Sequence, residues 1–124
     1  MIDIFSLKVE EIASKIKDAQ LTSVEVCEKY IEKINKFEKD LKAWVYFDKK
    51  LLLEKAAEAD QYRQSGKPIG PLHGIPIAVK DIVGTADMPT ECGTVIKIEK
   101  SFSQNAKIID LLLAAGAIVM GKTA

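Results

Sequence analysis

Apolar side chains recur at helical spacing in three stretches of the first 66 residues, which predicts three amphipathic helices. Ser6 is placed to cap the first helix, and the segment Thr22–Glu25 has the residues of a capping box at the start of the second. Asp48 is placed to cap the third helix, which should end where glycine and proline follow in Ser65–Pro68. The inward faces predicted for the three helices are Val9, Ile12 and Ile16; Val24, Cys27, Ile31 and Ile34; and Leu52, Leu53, Ala56 and Ala59.

Other residues among the first 66 predict a polar face on the third helix and a short strand. Glu54, Glu58 and Asp60 lie opposite the apolar face of the third helix, and we expect them to meet solvent. Residues 43–47 are rich in aromatic and β-branched side chains, which predicts a short strand between the second and third helices.

The second half of the chain predicts two buried strands joined by a loop and a helix. Ile75–Val79 is an unbroken apolar run between turn residues, as in a fully buried strand of a parallel sheet. Asn105 is placed to cap a fourth helix that stops at Gly116, and Ala117–Met120 should form the next strand. A strand, helix and strand in that order favour parallel pairing, and we expect the last strand, with Val119, at an uncovered sheet edge. The predicted fold class is α/β, with N-terminal helices leading into a mixed, largely parallel sheet flanked by helices.

Composition narrows the class of protein. The net charge is zero without a basic stripe, so direct binding to nucleic acid or to an anionic membrane surface is not indicated. Two distant cysteines, Cys27 and Cys92, make neither a disulfide framework nor a metal site. The longest apolar stretch, Leu111–Met120, is too short to span a bilayer and no secretory signal is evident, so we expect a cytoplasmic protein. Of 36 charged residues, 25 lie in residues 1–66, which indicates surface helices followed by core strands.

Gly116–Thr123 satisfies the pattern G-x-x-x-x-G-K-[ST] of a phosphate-binding loop. Such a loop needs a strand before it and a helix after it, so that backbone N–H groups can surround phosphates. Here a predicted helix comes before it, and its apolar middle, Ala117–Met120, favours a strand. We therefore expect no nucleotide site, and we place Lys122 at a strand end near the same edge as Lys80.

Lys80 stands at the carboxyl end of an apolar strand, where ligands bind in open α/β sheets. From position alone, a solvated lysine that simply ends a strand is the favoured interpretation. The loop that follows, Thr85–Thr94 with Cys92, is either a pocket wall or a plain surface connection.

A resemblance favours the functional interpretation of Lys80. The segment Gly74–Asp81 reads GIPIAVKD and is followed by TADMPT at Thr85–Thr90. Together with Ala114–Thr123, these segments resemble the lysine region of the amidase signature family. The resemblance runs from about Ile4 to the last residue and is densest from Gly70 to Thr94.

In that family a lysine, a serine in a cis peptide and a nucleophilic serine hydrolyse amides without a metal or an organic cofactor. The resemblance implies that Lys80 is the catalytic lysine, whereas none of this chain's serines lies in the Gly/Ser-rich segment that carries the two serines. We therefore interpret residues 1–124 as the N-terminal portion of a single amidase domain, catalytically incomplete alone. Residues 1–66 are its helical entry region with a strand at 43–47, and residues 67–124 begin its core sheet. The residues that bind substrate are not identifiable.

The resemblance implies hydrolysis of a carbon–nitrogen bond in a small linear amide. The A subunit of a tRNA-dependent amidotransferase is the alternative, and a non-catalytic fragment or interaction module is the third. Partners would be the amide and either a second copy of the chain or amidotransferase subunits. Because the family gives the base to lysine, the lone histidine, His73, is interpreted as structural, and Cys27 as a core residue.

Overall fold

The computed structural model describes residues 2–96 and 104–124. After a short 3₁₀ helix at Ile4–Ser6, the described residues form four α-helices and three β-strands. In chain order these are α1 (Val9–Lys17), α2 (Ser23–Leu41), β1 (Trp44–Phe47), α3 (Lys49–Gln64), β2 (Pro76–Lys80), α4 (Lys107–Ala114) and β3 (Ile118–Thr123). Every predicted helix and strand is therefore present, and the α/β class is confirmed.

The three strands form one mixed sheet in the order β1–β3–β2. β2 and β3 are parallel, with Val79 beside Lys122 and Lys80 beside Thr123, whereas β1 runs antiparallel to β3. The parallel pairing predicted from the strand–helix–strand order is confirmed. The expectation that the last strand lies at an edge is wrong, because β1 pairs with β3 on the side away from β2.

Two apolar clusters contain buried residues of the strands, and a third joins α1 and α2 to Ile75 just before β2. The first joins α2 and α3 to β3, and its buried members are Cys27, Ile31, Leu52, Ala56, Ile118 and Met120. The second joins α4 and the loop after β2 to the opposite face, and its buried members are Val79, Met88, Ile109 and Val119. Alternate residues of β3 therefore enter different clusters, as the pleat of a strand requires.

Strand β2 is less buried than its apolar sequence predicts. Val79 is buried, but Ala78 and Lys80 are exposed. Within the described residues β2 has a neighbouring strand on one side only, so the expectation of a fully buried strand is wrong for this part of the chain.

Two predicted helix caps are replaced by other contacts. Ser6 lies in the 3₁₀ helix, where its hydroxyl donates to the Asp3 carbonyl, and α1 begins only after Lys8. Asn105 does not cap α4, since its side-chain oxygen accepts the Ala86 N–H at 2.7 Å. The predicted caps at Thr22 and Asp48 are confirmed by hydrogen bonds from Glu25 and Leu51.

Asp60 is buried, which corrects the expectation that it faces solvent. Its carboxylate accepts the N–H groups of Ser23 and Val24, at 2.7 and 3.1 Å. These amides open α2 and have no partner within their own helix, and the positive end of the helix favours a carboxylate there. Helical periodicity on α3 could not reveal a partner that another helix supplies.

Candidate functional site

The carboxyl ends of β2 and β3 lie side by side and bring two lysines to one edge of the sheet. Lys80 ends β2, and Lys122 is the second-last residue of β3, paired with Val79. Because neighbours in register share a face and successive residues alternate, Lys80 and Lys122 point to opposite faces. The Lys80 side chain is exposed, whereas Lys122 is 0 % exposed.

The Lys122 ammonium donates three hydrogen bonds to the loop that follows β2. Its acceptors are Thr85 Oγ1 at 3.2 Å, the Pro89 carbonyl at 3.2 Å and Thr90 Oγ1 at 2.6 Å. The nearest carboxylate oxygen, Asp81 Oδ1, lies 3.6 Å away. Burial lowers the pKa of Lys122 from its ordinary value, and the nearby Asp81 carboxylate opposes this change. Three protons and three acceptors use the whole donor capacity of the amine.

Asp81 holds the two ends of the same loop together. Its N–H donates to the Thr123 carbonyl at 2.8 Å, which continues the pairing of β2 with β3. Its own carbonyl accepts the Cys92 N–H at 3.0 Å, and its Oδ2 accepts the Glu91 N–H at 3.2 Å. We call residues 81–94 the post-β2 loop. Cys92 takes a positive φ of 55° at its closing turn, a conformation that non-glycine residues rarely adopt.

The far side of the post-β2 loop is attached to α3 and α4. The Gly84 carbonyl accepts the Ala106 N–H at 2.9 Å, and Asp87 forms an ion pair with Lys55 of α3. A cavity of about 450 Å³ lies between this loop, α3, α4 and β3. Its lining includes Lys55, Asp87, Asn105, Ile109, Leu113 and Val119, but neither Lys80 nor Lys122. The loop is thus more than a plain surface connection, since it forms one wall of a cavity.

The other residues singled out in the sequence are structural. His73 is buried with Nε2 2.7 Å from the Ala59 carbonyl, so this nitrogen carries the proton and donates. Cys27 is fully buried, and burial raises the pKa of its thiol to about 12, which suits a core residue and not a nucleophile. Within residues 2–96 and 104–124, no three His, Cys, Asp or Glu side chains are grouped to hold a metal.

The structure of β3 shows that the segment with the phosphate-binding pattern, Gly116–Thr123, does not form a phosphate-binding loop. Ile118–Thr123 is extended and paired on both sides, so its amides belong to the sheet and cannot surround an anion. The prediction of a strand here is confirmed. Lys122 lies near the end of β3 at the same edge as Lys80, as predicted, but its full burial is a feature that the sequence reasoning missed. The available signal was the pair of hydroxyls, Thr85 and Thr90, in a loop that must return beside β3.

Comparisons with known proteins identify the family to which this chain belongs. The family model described as Amidase matches residues 25–124. The chain belongs to the amidase signature family. The family resemblance of the Lys80 region is therefore confirmed.

Curated relatives of this amidase-family chain carry two kinds of name. The A subunit of the glutamyl-tRNA(Gln) amidotransferase of Chloroflexus aurantiacus is 35% identical over 98% of this chain. A putative amidase of Mycobacterium bovis is 37% identical over 98% of this chain. The chain covers 25% and 26% of these two relatives, so it spans about a quarter of their length.

Solved structures of the family share the fold. A structure titled fatty acid amide hydrolase matches 95% of this chain with a TM-score of 0.87 and 30% identity, and the match covers 21% of that protein. The peptide amidase from Stenotrophomonas maltophilia matches 94% of this chain with a TM-score of 0.82 and 31% identity, over 24% of its own length. In the part of this chain that the structure describes, no helix is long and apolar enough to cross a membrane.

Proposed function

We propose that the protein containing this chain hydrolyses the carbon–nitrogen bond of a small linear amide, with Lys80 as its general base. The observation that carries the proposal is the exposed Lys80 amine at the carboxyl end of a parallel strand, within the segment that matches the family model. The carboxyl ends of strands are where ligands bind in open α/β sheets. Among the described residues Lys80 forms no ion pair, so its amine is available to a further group.

The proposed mechanism needs two serines that residues 1–124 do not supply. The nucleophilic serine would attack the amide carbon while its proton passes through the second serine to the neutral amine of Lys80. The carbon–nitrogen bond then breaks, the departing amine takes up that proton, and water hydrolyses the acyl ester. Backbone N–H groups would stabilise the negative oxygen of each tetrahedral intermediate. No metal or organic cofactor enters this scheme.

The domain assignment is part of the same proposal. Residues 1–124 would be the N-terminal portion of one amidase domain, of which 1–66 form the helical entry region and 67–124 begin the core sheet. The share of each relative that the chain covers, about a quarter, supports this assignment. Cys27 and Cys92 are both unpaired, which supports a reducing compartment such as the cytoplasm.

The experiment compares three variants of the complete protein in hydrolysis of a panel of small linear amides, followed by release of ammonia or amine. Lys80→Ala should lower kcat/KM by about 10²- to 10⁴-fold, the range that a general base contributes. Lys80→Arg should be similarly impaired, because a guanidinium does not give up its proton near neutral pH. Lys107→Ala, which removes an exposed lysine at the start of α4, is the matched control and should leave kcat/KM unchanged. A kcat/KM of Lys80→Ala within about tenfold of the parent value would overturn the role of Lys80.

A second candidate is the A subunit of a tRNA-dependent amidotransferase, favoured by the relatives that carry this name at 35% identity. Such a protein would transfer ammonia to a partner protein, and it would use its substrate efficiently only within a complex. Co-purification with other subunits, together with turnover that depends on aminoacyl-tRNA, would establish this alternative. Full turnover of simple amides by the isolated protein would exclude it.

The third candidate, a chain with no catalytic role of its own, is tested on residues 1–124 alone. If the two serines lie elsewhere, this piece should show no amide hydrolysis above the rate in buffer. Turnover by residues 1–124 that Lys80→Ala abolishes would contradict the proposed domain assignment.

A further inference from the structure

We propose that Lys122 is a positioning residue whose ammonium holds the post-β2 loop in place and thereby supports the site around Lys80. As regards catalysis this inference rests on the proposed function, but its structural part can be tested without any amide substrate. Lys122 is 0 % exposed and lies on the face of the sheet opposite Lys80, so it is not placed to exchange protons with a substrate bound at Lys80.

The first argument is the geometry of the ammonium. A lysine has three N–H donors, and all three are directed to one loop, at Thr85, Pro89 and Thr90. These acceptors are up to five residues apart in sequence, so a single side chain sets the curvature of the segment. Thr85 is itself oriented, since its hydroxyl donates to the Met88 carbonyl at 3.3 Å while it accepts from Lys122.

The second argument is that Lys122 and Asp81 contact different groups of the post-β2 loop. Asp81 Oδ1 is buried and has no hydrogen-bond donor among the described residues, although Lys122 Nζ is 3.6 Å away. The carboxylate therefore balances the charge of Lys122 without taking any of its protons. Those protons remain for the loop, while Asp81 closes the loop's ends through the N–H groups of Glu91 and Cys92.

The third argument connects the loop to Lys80. Asp81 follows Lys80 directly, and its N–H makes the last hydrogen bond of β2 to β3. Loss of Lys122 would leave a buried carboxylate without its counter-charge immediately after Lys80. The end of β2 would then be free to move, and the Lys80 amine with it.

The test measures hydrogen exchange of the Glu91 and Cys92 amides in the complete protein, by NMR or by mass spectrometry of a peptide covering residues 81–94. Thr90→Val removes the acceptor that lies 2.6 Å from Lys122 Nζ and keeps the shape of the side chain. We expect exchange of both amides to accelerate by about tenfold or more, as when a buried charged donor loses a partner. Lys122→Met, if it folds, should give a larger acceleration in the same amides.

The matched control is Thr94→Val. Thr94 lies in the same loop and is also partly buried, but its hydroxyl accepts the Ile96 N–H and is not among the three acceptors of Lys122. Exchange at Glu91 and Cys92 should change less than about twofold in this variant. Equal exchange in Thr90→Val and Thr94→Val would overturn the proposal.

Kinetics then separate this inference from the proposed function. Lys80→Ala should lower kcat/KM by about 10²- to 10⁴-fold while the loop amides stay protected. Thr90→Val, in contrast, should lower kcat but keep the pH profile of the parent protein. An altered pH profile in Thr90→Val would assign Lys122 to proton transfer and overturn the positioning role. If the protein hydrolyses no amide at all, the proposed function fails, and the exchange rates still decide the role of Lys122.

Discussion

The ends of β2 and β3 carry one lysine each, and the two have opposite surroundings. Lys80 is exposed and forms no ion pair with any described residue, whereas Lys122 is fully buried with four oxygen atoms around its amine. Neighbouring strands of one sheet thus use the same side chain in two ways. An amine that acts as a base must keep its lone pair available, whereas an ammonium that organises a loop commits all three of its protons.

The largest expected effect is the difference in protein stability between a substitution of Lys122 and one of Lys80. Lys122→Met leaves Asp81 as an uncompensated buried charge, and removal of one member of a buried pair costs about 3–5 kcal/mol. Lys80→Met changes an exposed residue and should alter the free energy of unfolding by less than about 0.5 kcal/mol. Urea unfolding of both variants of the complete protein measures the contrast. Similar losses in the two variants would show that Lys80 is also buried in the complete protein.

A double variant sharpens the interpretation of that loss. Asp81→Asn keeps an oxygen that can accept the Glu91 N–H but removes the negative charge. Lys122→Met combined with Asp81→Asn should therefore be more stable than Lys122→Met alone, by about 0.5–3 kcal/mol, as is usual for coupled sites. A double variant no more stable than Lys122→Met would assign the loss to the hydrogen bonds at Thr85, Pro89 and Thr90.

An intermediate effect concerns the packing of the two strands. A Cβ at Gly121 of β3 would lie 2.5 Å from the Tyr46 carbonyl and 2.9 Å from the Trp44 ring, so Gly121→Ala should cost about 1–3 kcal/mol. Ala78→Val on exposed β2 should cost less than about 0.5 kcal/mol. Thermal or urea unfolding measures both. A large loss for Ala78→Val would show that another part of the protein packs against β2.

The smallest expected effect is a pH dependence of stability that originates from the Cys27 thiol, which is buried in the cluster that joins α2 and α3 to β3. Burial raises the pKa of Cys27 from 9.0 to about 12, so above pH 9 the unfolded chain loses this proton while the folded chain keeps it. Stability must then fall as pH rises from 9 towards 12, by roughly 1 kcal/mol at pH 10. Cys27→Ala should not show this part of the fall. The stability difference between parent and Cys27→Ala should therefore shrink by that amount between pH 7.5 and 10.

Val26→Ala is the control for this measurement. Val26 is as fully buried as its neighbour Cys27 but does not ionise, so the stability that this variant loses should be constant with pH. A difference that shrinks equally for Val26→Ala would mean that the pH dependence does not arise from the thiol.

Local chemistry predicted most of the elements correctly. Thr22 and Asp48 cap their helices as expected because a cap needs only a side-chain oxygen and an N–H two or three residues away. Ser6 and Asn105 did not behave in this way, since Ser6 bonds the Asp3 carbonyl and Asn105 bonds the Ala86 N–H of another segment. Prediction failed where a polar side chain had another partner available, three residues back in the chain for Ser6 and in a separate segment for Asn105.

The sequence by itself determined the succession of helices and strands, the parallel pairing of β2 with β3 and the family resemblance centred on Lys80. These properties depend on periodicity and on residues that are close in the chain. Only the tertiary structure decided that Asp60 is buried against the start of α2, that β3 and not β2 is the central strand, and that Lys122 is enclosed by the post-β2 loop. The physical reason is that the burial of a charge depends on counter-charges and acceptors from distant segments, such as Asp81 and Thr85 for Lys122, and no local pattern specifies which segments meet.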